Sequence, residues 1–183
     1  MSILDSFRLT DKVVVVTGAS SGLGVSFAQA FAEAGADLVL GARRVERMAQ
    51  TAALVEAAGR RVYTRMTDVA DPEQCQALVG SAIEVFGRVD VLINNAAFTN
   101  QSRSANFAAP FTDFPLEDWN QILNVNLTGS FLGCQVIGKQ MLEQGKGSII
   151  NFASLYGVVS PNHKMYPGTG INQPVAYSVS KSG

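Results

Sequence analysis

Histidine is almost missing from this chain: among 183 residues there is one, His163. Any chemistry that needs an imidazole has a single candidate. Cysteine is nearly as scarce, with Cys75 and Cys134 alone. They fit neither a metal-ligand nor a dithiol redox spacing. Each reads as a small buried hydrophobe within a helix, and no metal site is expected. Charge of one sign is not in excess, since Lys+Arg number 14, Asp+Glu 15 and the net charge is −1. Basic residues gather only at Arg43-Arg44 and Arg60-Arg61, which read as solvated helix and strand ends. A nucleic-acid face needs a broader basic patch, so none is expected. No run approaches the roughly 20 apolar residues of a membrane-spanning helix. The first residues, Met1–Lys12, carry no apolar stretch of signal-peptide length. The expectation is a cytoplasmic protein with no membrane or nucleic-acid partner. Low-complexity linkers and exact repeats are also absent. Hydrophobic residues, by contrast, make up 47% of the chain against 16% charged. That suits one globular domain over residues 1–183.

A repeated grammar runs through the chain. A helix ends in glycine and an apolar strand follows, with strands ending at Leu40, Thr64, Ile93 and Phe152. Gly35, Gly59, Gly87 and Gly145 stand where a left-handed helix cap is wanted. Alternating helices and short strands imply crossovers and a parallel sheet. Right-handed crossovers make it doubly wound. Asp71 caps a helix that runs from Pro72 to near Phe86, with Gln74 reaching back. Leu116–Glu143 reads as one long helix. Phe98–Pro115 and Gly157–Pro174 read as loops.

Val13–Gly24, VVVVTGASSGLG, organises the rest. Four valines have the pattern of a buried parallel strand. A glycine turn follows, and Val25–Glu33 reads as a helix. Unpaired N–H groups at that helix N-terminus favour a phosphate, and glycines let it approach. The spacing Gly18, Gly22, Gly24 differs from the general G-x-G-x-x-G. A second reading also fits. Gly18–Gly22 satisfies G-x-S-x-G, the nucleophile elbow of α/β-hydrolases, with Ser20 as nucleophile.

An acid about 20 residues past a dinucleotide turn binds the ribose 2′-hydroxyl, whereas arginine accommodates a 2′-phosphate. Here Ala42 occupies that place, and Arg43 and Arg44 follow. Arginine forks onto phosphate oxygens. NADP is therefore the expected cofactor, with NAD as the alternative and Arg43 as the leading contact. Ser154 follows a strand, at the carboxyl end where ligands bind in open α/β sheets. Tyr177 and Lys181 are four residues apart and share one helix face.

Thr17 with its T-G-x-x-x-G-x-G spacing, Asp68-Val69, Asn94-Asn95-Ala96-Ala97, Asn126, Ser154 and Tyr177-x-x-x-Lys181 occur in this order. The set resembles the short-chain dehydrogenase/reductase family over essentially the whole chain. The resemblance implies a Rossmann-type α/β fold, three layers deep, with a doubly wound parallel sheet. It implies hydride transfer between NAD(P) and a small alcohol or carbonyl compound. Thr17, Gly18, Ser20, Ser21, Gly22, Leu23 and Gly24 would form the cofactor turn, and members with Ala-Arg-Arg at Arg43 and Arg44 tend to use NADP. Asp68 would accept the adenine amino group, with Val69 against the ring. Asn95 would brace the sheet, Ala96 line the cofactor and Asn126 hold a water in a proton relay. Ser154 would orient the carbonyl oxygen. Tyr177 would move the proton, and Lys181 would favour its phenolate and hold the nicotinamide ribose. Hydride transfer to a carbonyl leaves an alkoxide that must gain a proton. A free tyrosine, with a pKa near 10, needs a neighbouring ammonium to serve at neutral pH. A non-catalytic dinucleotide-binding subunit is the alternative from another class.

Four departures matter. Ala97 stands where the family has glycine, and adds a methyl. The interval from Ser154 to Tyr177 is longer than is usual, and holds Tyr156, His163, Lys164, Tyr166 and Thr169. Phe98–Pro115 also reads as extended, with Asn100, Gln101, Arg103 and Asn106. Their polarity suggests a hydroxylated or charged substrate such as a sugar acid, and the alternative is an insertion serving an oligomer contact. Tyr156-Gly157-Val158-Val159 resembles gluconate 5-dehydrogenase-like members. Lastly, the sequence stops two residues past Lys181, whereas related proteins continue. The expectation is a C-terminally truncated domain with little activity. Lys181 would sit in a frayed turn, and Ser148–Phe152 would be a bare sheet edge. A homo-oligomer, dimer or tetramer, is expected at full length.

Overall fold

In the computed structural model the described residues are 3–98, 109–168 and 175–183. Asn100, Gln101, Arg103, Asn106 and Thr169 lie outside them. The elements run β1 (Val13–Thr17), α1 (Leu23–Glu33), β2 (Asp37–Ala42), α2 (Val45–Ala57), β3 (Val62–Met66), α3 (Pro72–Phe86) and β4 (Val91–Asn94). Then come α4 (Leu116–Leu123), a π-helical turn (Asn124–Thr128), α5 (Gly129–Gln144), β5 (Ser148–Asn151) and α6 (Val175–Ser182).

All strand pairs are parallel, in the order β3-β2-β1-β4-β5. The chain builds outward from β1 to β3, then crosses back to lay β4 on the other side of β1. That reversal opens a crevice at the carboxyl ends of β1 and β4, the place where such sheets take ligands. The valines show why β1 is apolar throughout. Val14 and Val16 join Leu38, Leu40 and Ala28 on the α1–α2 face. Val13 and Val15 join Leu78, Leu92 and Ile137 on the α3–α5 face. Successive side chains alternate faces, and here helices cover both.

The glycine caps hold, with φ of 103, 73, 76 and 71° at Gly35, Gly59, Gly87 and Gly145. Asp71 caps α3 by accepting the N–H groups of Glu73 and Gln74 at 2.9 and 3.2 Å. Gln74 reaches back further than its own cap, accepting the Asp68 N–H at 2.8 Å. The helix expected over Leu116–Glu143 is continuous but carries a π turn at Asn124–Thr128. Gly129 and Gly133 let it sit on the strand ends. A Cβ there would come within 2.7 Å of Val69 Cγ2 and 2.5 Å of Asn94 Oδ1.

Arg61 is solvated as the sequence suggests, 68% exposed, and Arg60 is half-buried, but both also pair with one carboxylate. Asp37 is 5% exposed, and a buried carboxylate needs partners. Arg60 Nη2 and Arg61 Nε reach it at 2.7 and 2.8 Å. Asp90 is held the same way, accepting from Arg88 Nε at 2.7 Å and the Val13 N–H at 3.0 Å. Both carboxylates fasten the amino-terminal ends of strands, away from the crevice. Cys75 is buried, and burial pushes its thiol up to about 11. Among the described residues no helix is long and apolar enough to cross a membrane, and no cluster of metal-binding side chains occurs.

Candidate active site

The site begins with a turn that needs glycine. Gly18 and Gly22 have φ of 70 and 58°, a region costly for a residue with a Cβ. A Cβ on Gly18 would lie 2.7 Å from Ala96 Cα, and one on Gly24 would lie 2.4 Å from the Gly18 carbonyl oxygen. At Gly22 the direction of a Cβ is open, with nothing within 4 Å. The first turn of α1 has no side-chain cap. Val25 N–H bonds the Gly22 carbonyl at 3.1 Å, and an uncapped helix N-terminus of this kind favours an anion.

Thr17 and Asn95 shape this turn from behind. Thr17 Oγ1 donates to the Ile93 carbonyl at 3.2 Å and accepts the N–H groups of Asn95 and Ala96 at 3.1 and 3.2 Å. Asn95 Nδ2 donates to the carbonyls of Thr17 and Gly18 at 3.0 and 3.3 Å. The two side chains stitch β1 to β4 where the crevice opens. Asn95 bonds β1 and the turn from β4, while Thr17 supports the turn without lining the cleft.

A cleft of about 590 Å³ runs across the strand ends, from Arg43 and Asp68 past the glycine turn to Tyr177 and Lys181. Every residue expected to hold a cofactor lines it except Thr17 and Gly24. The sequence did not single out Val125, Phe152 or Ala153, which line it too. Arg44 Nη2 donates to the hydroxyls of Ser20 and Ser21 at 3.2 and 2.9 Å. The partner of Ser20 is thus a guanidinium, which has no lone pair to take a proton. Among the described residues no imidazole or carboxylate bonds the Ser20 hydroxyl, so the nucleophile-elbow reading gains no support. Asp68 is oriented by accepting the Ala70 N–H at 3.0 Å.

At the other end, α6 is pinned rather than frayed. Ala176 and Ser180 are buried, and Ser182 Oγ donates to the Gly157 carbonyl at 3.0 Å. Lys181 Nζ donates to the Phe152 carbonyl at 2.6 Å and lies 6.0 Å from the centre of the Tyr177 ring. Burial pushes the Lys181 pKa below its ordinary value. Ser154 Oγ accepts the Tyr156 N–H at 3.2 Å. Asn126, 4% exposed, accepts the Phe98 N–H at 2.6 Å. Its Nδ2 donates to the Phe98 carbonyl at 3.2 Å and to Ser180 Oγ at 3.1 Å. Both of its amide hydrogens have protein acceptors. Asn126 ties the segment after β4, at Phe98, to α6. Ser180 and the Phe152 carbonyl were missed by the sequence reading. A serine between Tyr177 and Lys181 was a visible signal, whereas a backbone carbonyl leaves none.

A family model described as short chain dehydrogenase matches residues 12–183. D-threitol dehydrogenase of Mycolicibacterium smegmatis is 37% identical across all of this chain and 64% of its own length. The 2-dehydro-3-deoxy-D-gluconate 5-dehydrogenase of Bacillus subtilis is 40% identical over 82% of this chain and 56% of the relative. Among solved structures, an NAD+-bound xylitol dehydrogenase superposes with a TM-score of 0.82 at 30% identity, over 96% of this chain and 61% of that one. The chain thus spans less than two thirds of the length of these relatives. With the glycine turn, the stitched strand ends and the Tyr177–Lys181 helix assembled in one cleft, the chain belongs to the short chain dehydrogenase family.

Proposed function

We propose that these residues carry the dinucleotide site and the proton-handling groups of an NAD(P)-dependent oxidoreductase acting on an alcohol or carbonyl group. The observation that carries this reading is the docking of α6. Lys181 bonds the Phe152 carbonyl and brings Tyr177 to one end of the cleft that the glycine turn enters from the middle. The cleft suits a dinucleotide: the N-terminus of α1 has no side-chain cap and Gly22 leaves its surroundings open, while Asp68 and Arg43 stand where an adenosine would lie. Gly18, Ser20, Ser21, Gly22 and Leu23 would hold the pyrophosphate, and Asp68, Val69 and Ala96 the adenosine side. The bound nicotinamide supplies or accepts the hydride.

The remaining work belongs to side chains of this chain. Ser154 Oγ already accepts a backbone N–H, so its own hydrogen can donate to the substrate oxygen. Tyr177 gives or takes the proton at that oxygen. Lys181 holds a positive charge beside the phenol and reaches toward the ribose. Asn126 keeps α6 in register with the segment after β4. Arg43 favours NADP over NAD, and Arg44 holds the glycine turn that both cofactors share. The relatives named for threitol, xylitol and a deoxygluconate support a small polyhydroxylated substrate. A homo-oligomer of two or four copies and a cytoplasmic location belong to the same reading.

A panel of polyols and sugar acids with NADP and NAD, followed by absorbance of the reduced nicotinamide, tests the activity. Tyr177→Phe is expected to abolish turnover while cofactor binding stays near that of the parent. A variant retaining most of the parent's turnover would contradict the assignment. Cofactor binding with no turnover on any substrate would favour the non-catalytic alternative.

A further inference from the structure

The long interval between Ser154 and α6 holds an interaction that this chemistry does not use. Tyr156 and Tyr166 place their phenol oxygens 2.8 Å apart, within the normal range for O–H···O. Tyr156 is also the residue whose N–H donates to Ser154 Oγ, at 3.2 Å. It stands in the short 3-10 turn Leu155–Gly157, whose own closing bonds run from Gly157 N–H to the Ser154 carbonyl and from Val158 N–H to the Leu155 carbonyl, at 2.9 and 3.0 Å. One such turn is a weak element by itself.

The apolar side chains of Leu155 and Val158 do not hold this turn, being 70% and 82% exposed. Two anchors do. On one side Gly157 presses on α6, where a Cβ would come within 2.3 Å of the Lys181 carbonyl oxygen, and its own carbonyl accepts Ser182 Oγ. On the other side stands the Tyr166 phenol.

We propose that Tyr156 and Tyr166 form a positioning pair that fixes the turn after Ser154, and thereby aims the Ser154 hydroxyl at the substrate oxygen. The inference rests on the role given to Ser154 above. The Tyr156 N–H occupies one lone pair of Ser154 Oγ, so the hydroxyl hydrogen turns away from the backbone and is free to donate. That arrangement lasts only while the Tyr156 backbone stays in place. The phenol bond extends its hold to a residue ten positions on. The hydrogen bond to Tyr156, aided by burial, raises the pKa of Tyr166 above its ordinary value. Tyr166 therefore keeps its phenol hydrogen through the neutral range. Tyr166 does not act on the substrate itself; it acts through Ser154.

Tyr166→Phe and Tyr156→Phe each delete one phenol oxygen and keep the ring. Amide hydrogen exchange over residues 154–158 reads the tether directly, whether or not turnover is present. Each variant is expected to raise exchange there several-fold and leave β1 and α1 as in the parent. Turnover should fall about three- to ten-fold, the scale of one neutral hydrogen bond, with the KM for the cofactor unchanged. On a Ser154→Ala background neither variant should lower turnover further, because the residue it positions is gone. Unchanged exchange at 154–158 would overturn the proposal, as would an undiminished loss of turnover on the Ser154→Ala background. Retained turnover in Tyr177→Phe would instead overturn the catalytic reading, and the exchange result would still decide the tether.

Discussion

Arg43 and Arg44 are adjacent in sequence and differ in what they touch. Arg44 is bonded to Ser20 and Ser21 of the glycine turn. Arg43 lines the cleft beside Asp68. Arg43→Ala is therefore expected to weaken NADP binding about ten-fold or more and leave NAD little changed, since a charge-assisted phosphate contact contributes roughly 1.5–3 kcal/mol. Arg44→Ala should weaken both cofactors, because it loosens the turn that both share. Titration of each variant with each cofactor checks this, and equal losses on Arg43→Ala would make Arg43 a support of the fold. At this scale the sequence was a good guide to which residues matter and a poorer one to how. Thr17 and Asn126 were legible as polar residues in marked positions. Their bonds to Ile93 and Phe98 cross 76 and 28 positions, and no local pattern carries that information.

The element that decides the site is α6, eight residues long. A helix so short is marginal in water unless packed, and its packing is specific. Gly157→Ala would push a Cβ to 2.3 Å from the Lys181 carbonyl oxygen. Neither atom belongs to a flexible side-chain end, so α6 must shift. The expected cost is about 1–3 kcal/mol of stability, the scale of overpacking, with the Lys181–Phe152 bond lost and turnover reduced at least ten-fold. Urea denaturation and steady-state rates check it, and a variant matching the parent in both would show that α6 tolerates displacement. Elements themselves were legible, because glycine caps and apolar runs are local. Their ends were less so. β2 and β3 each run two residues past their expected ends because Gly41 and Ala42 pair with Arg65 and Met66. The π turn at Asn124–Thr128 was not foreseen, since one extra residue barely disturbs the apolar period of a long helix.

Across the whole molecule, stability and chemistry sit at opposite ends of the sheet. The carboxyl ends carry the cleft. The amino-terminal ends carry Asp37 and Asp90. For each carboxylate burial alone would raise the pKa, but hydrogen bonds and charge from Arg61 and Arg60, and from Arg88 and Lys12, bring it below the ordinary value. A carboxylate with a lowered folded-state pKa contributes stability that is fully present above its unfolded pKa, about 4, and is lost as pH falls through the folded value. The melting temperature is expected to hold near neutrality and decline below about pH 4. Asp90→Asn should lower stability at neutral pH by roughly 1.5–3 kcal/mol and flatten the acid decline. A decline of unchanged steepness would place the acid-sensitive groups elsewhere. The layered architecture was legible because alternating helices and strands admit few topologies. Which arginines would be bound was not, because partners for Asp37 come from beyond the next helix.

One cleft joins the glycine turn to the Tyr177–Lys181 helix, and on the function proposed above it holds a single dinucleotide along its length. Titration of the chain with NADPH, followed by cofactor fluorescence, tests it most directly when repeated on a variant at each end. The expected result is saturable binding that Gly22→Val, at the open side of the turn, and Lys181→Ala, at the far end, each weaken several-fold in folded protein. Binding untouched by either substitution would contradict the claim.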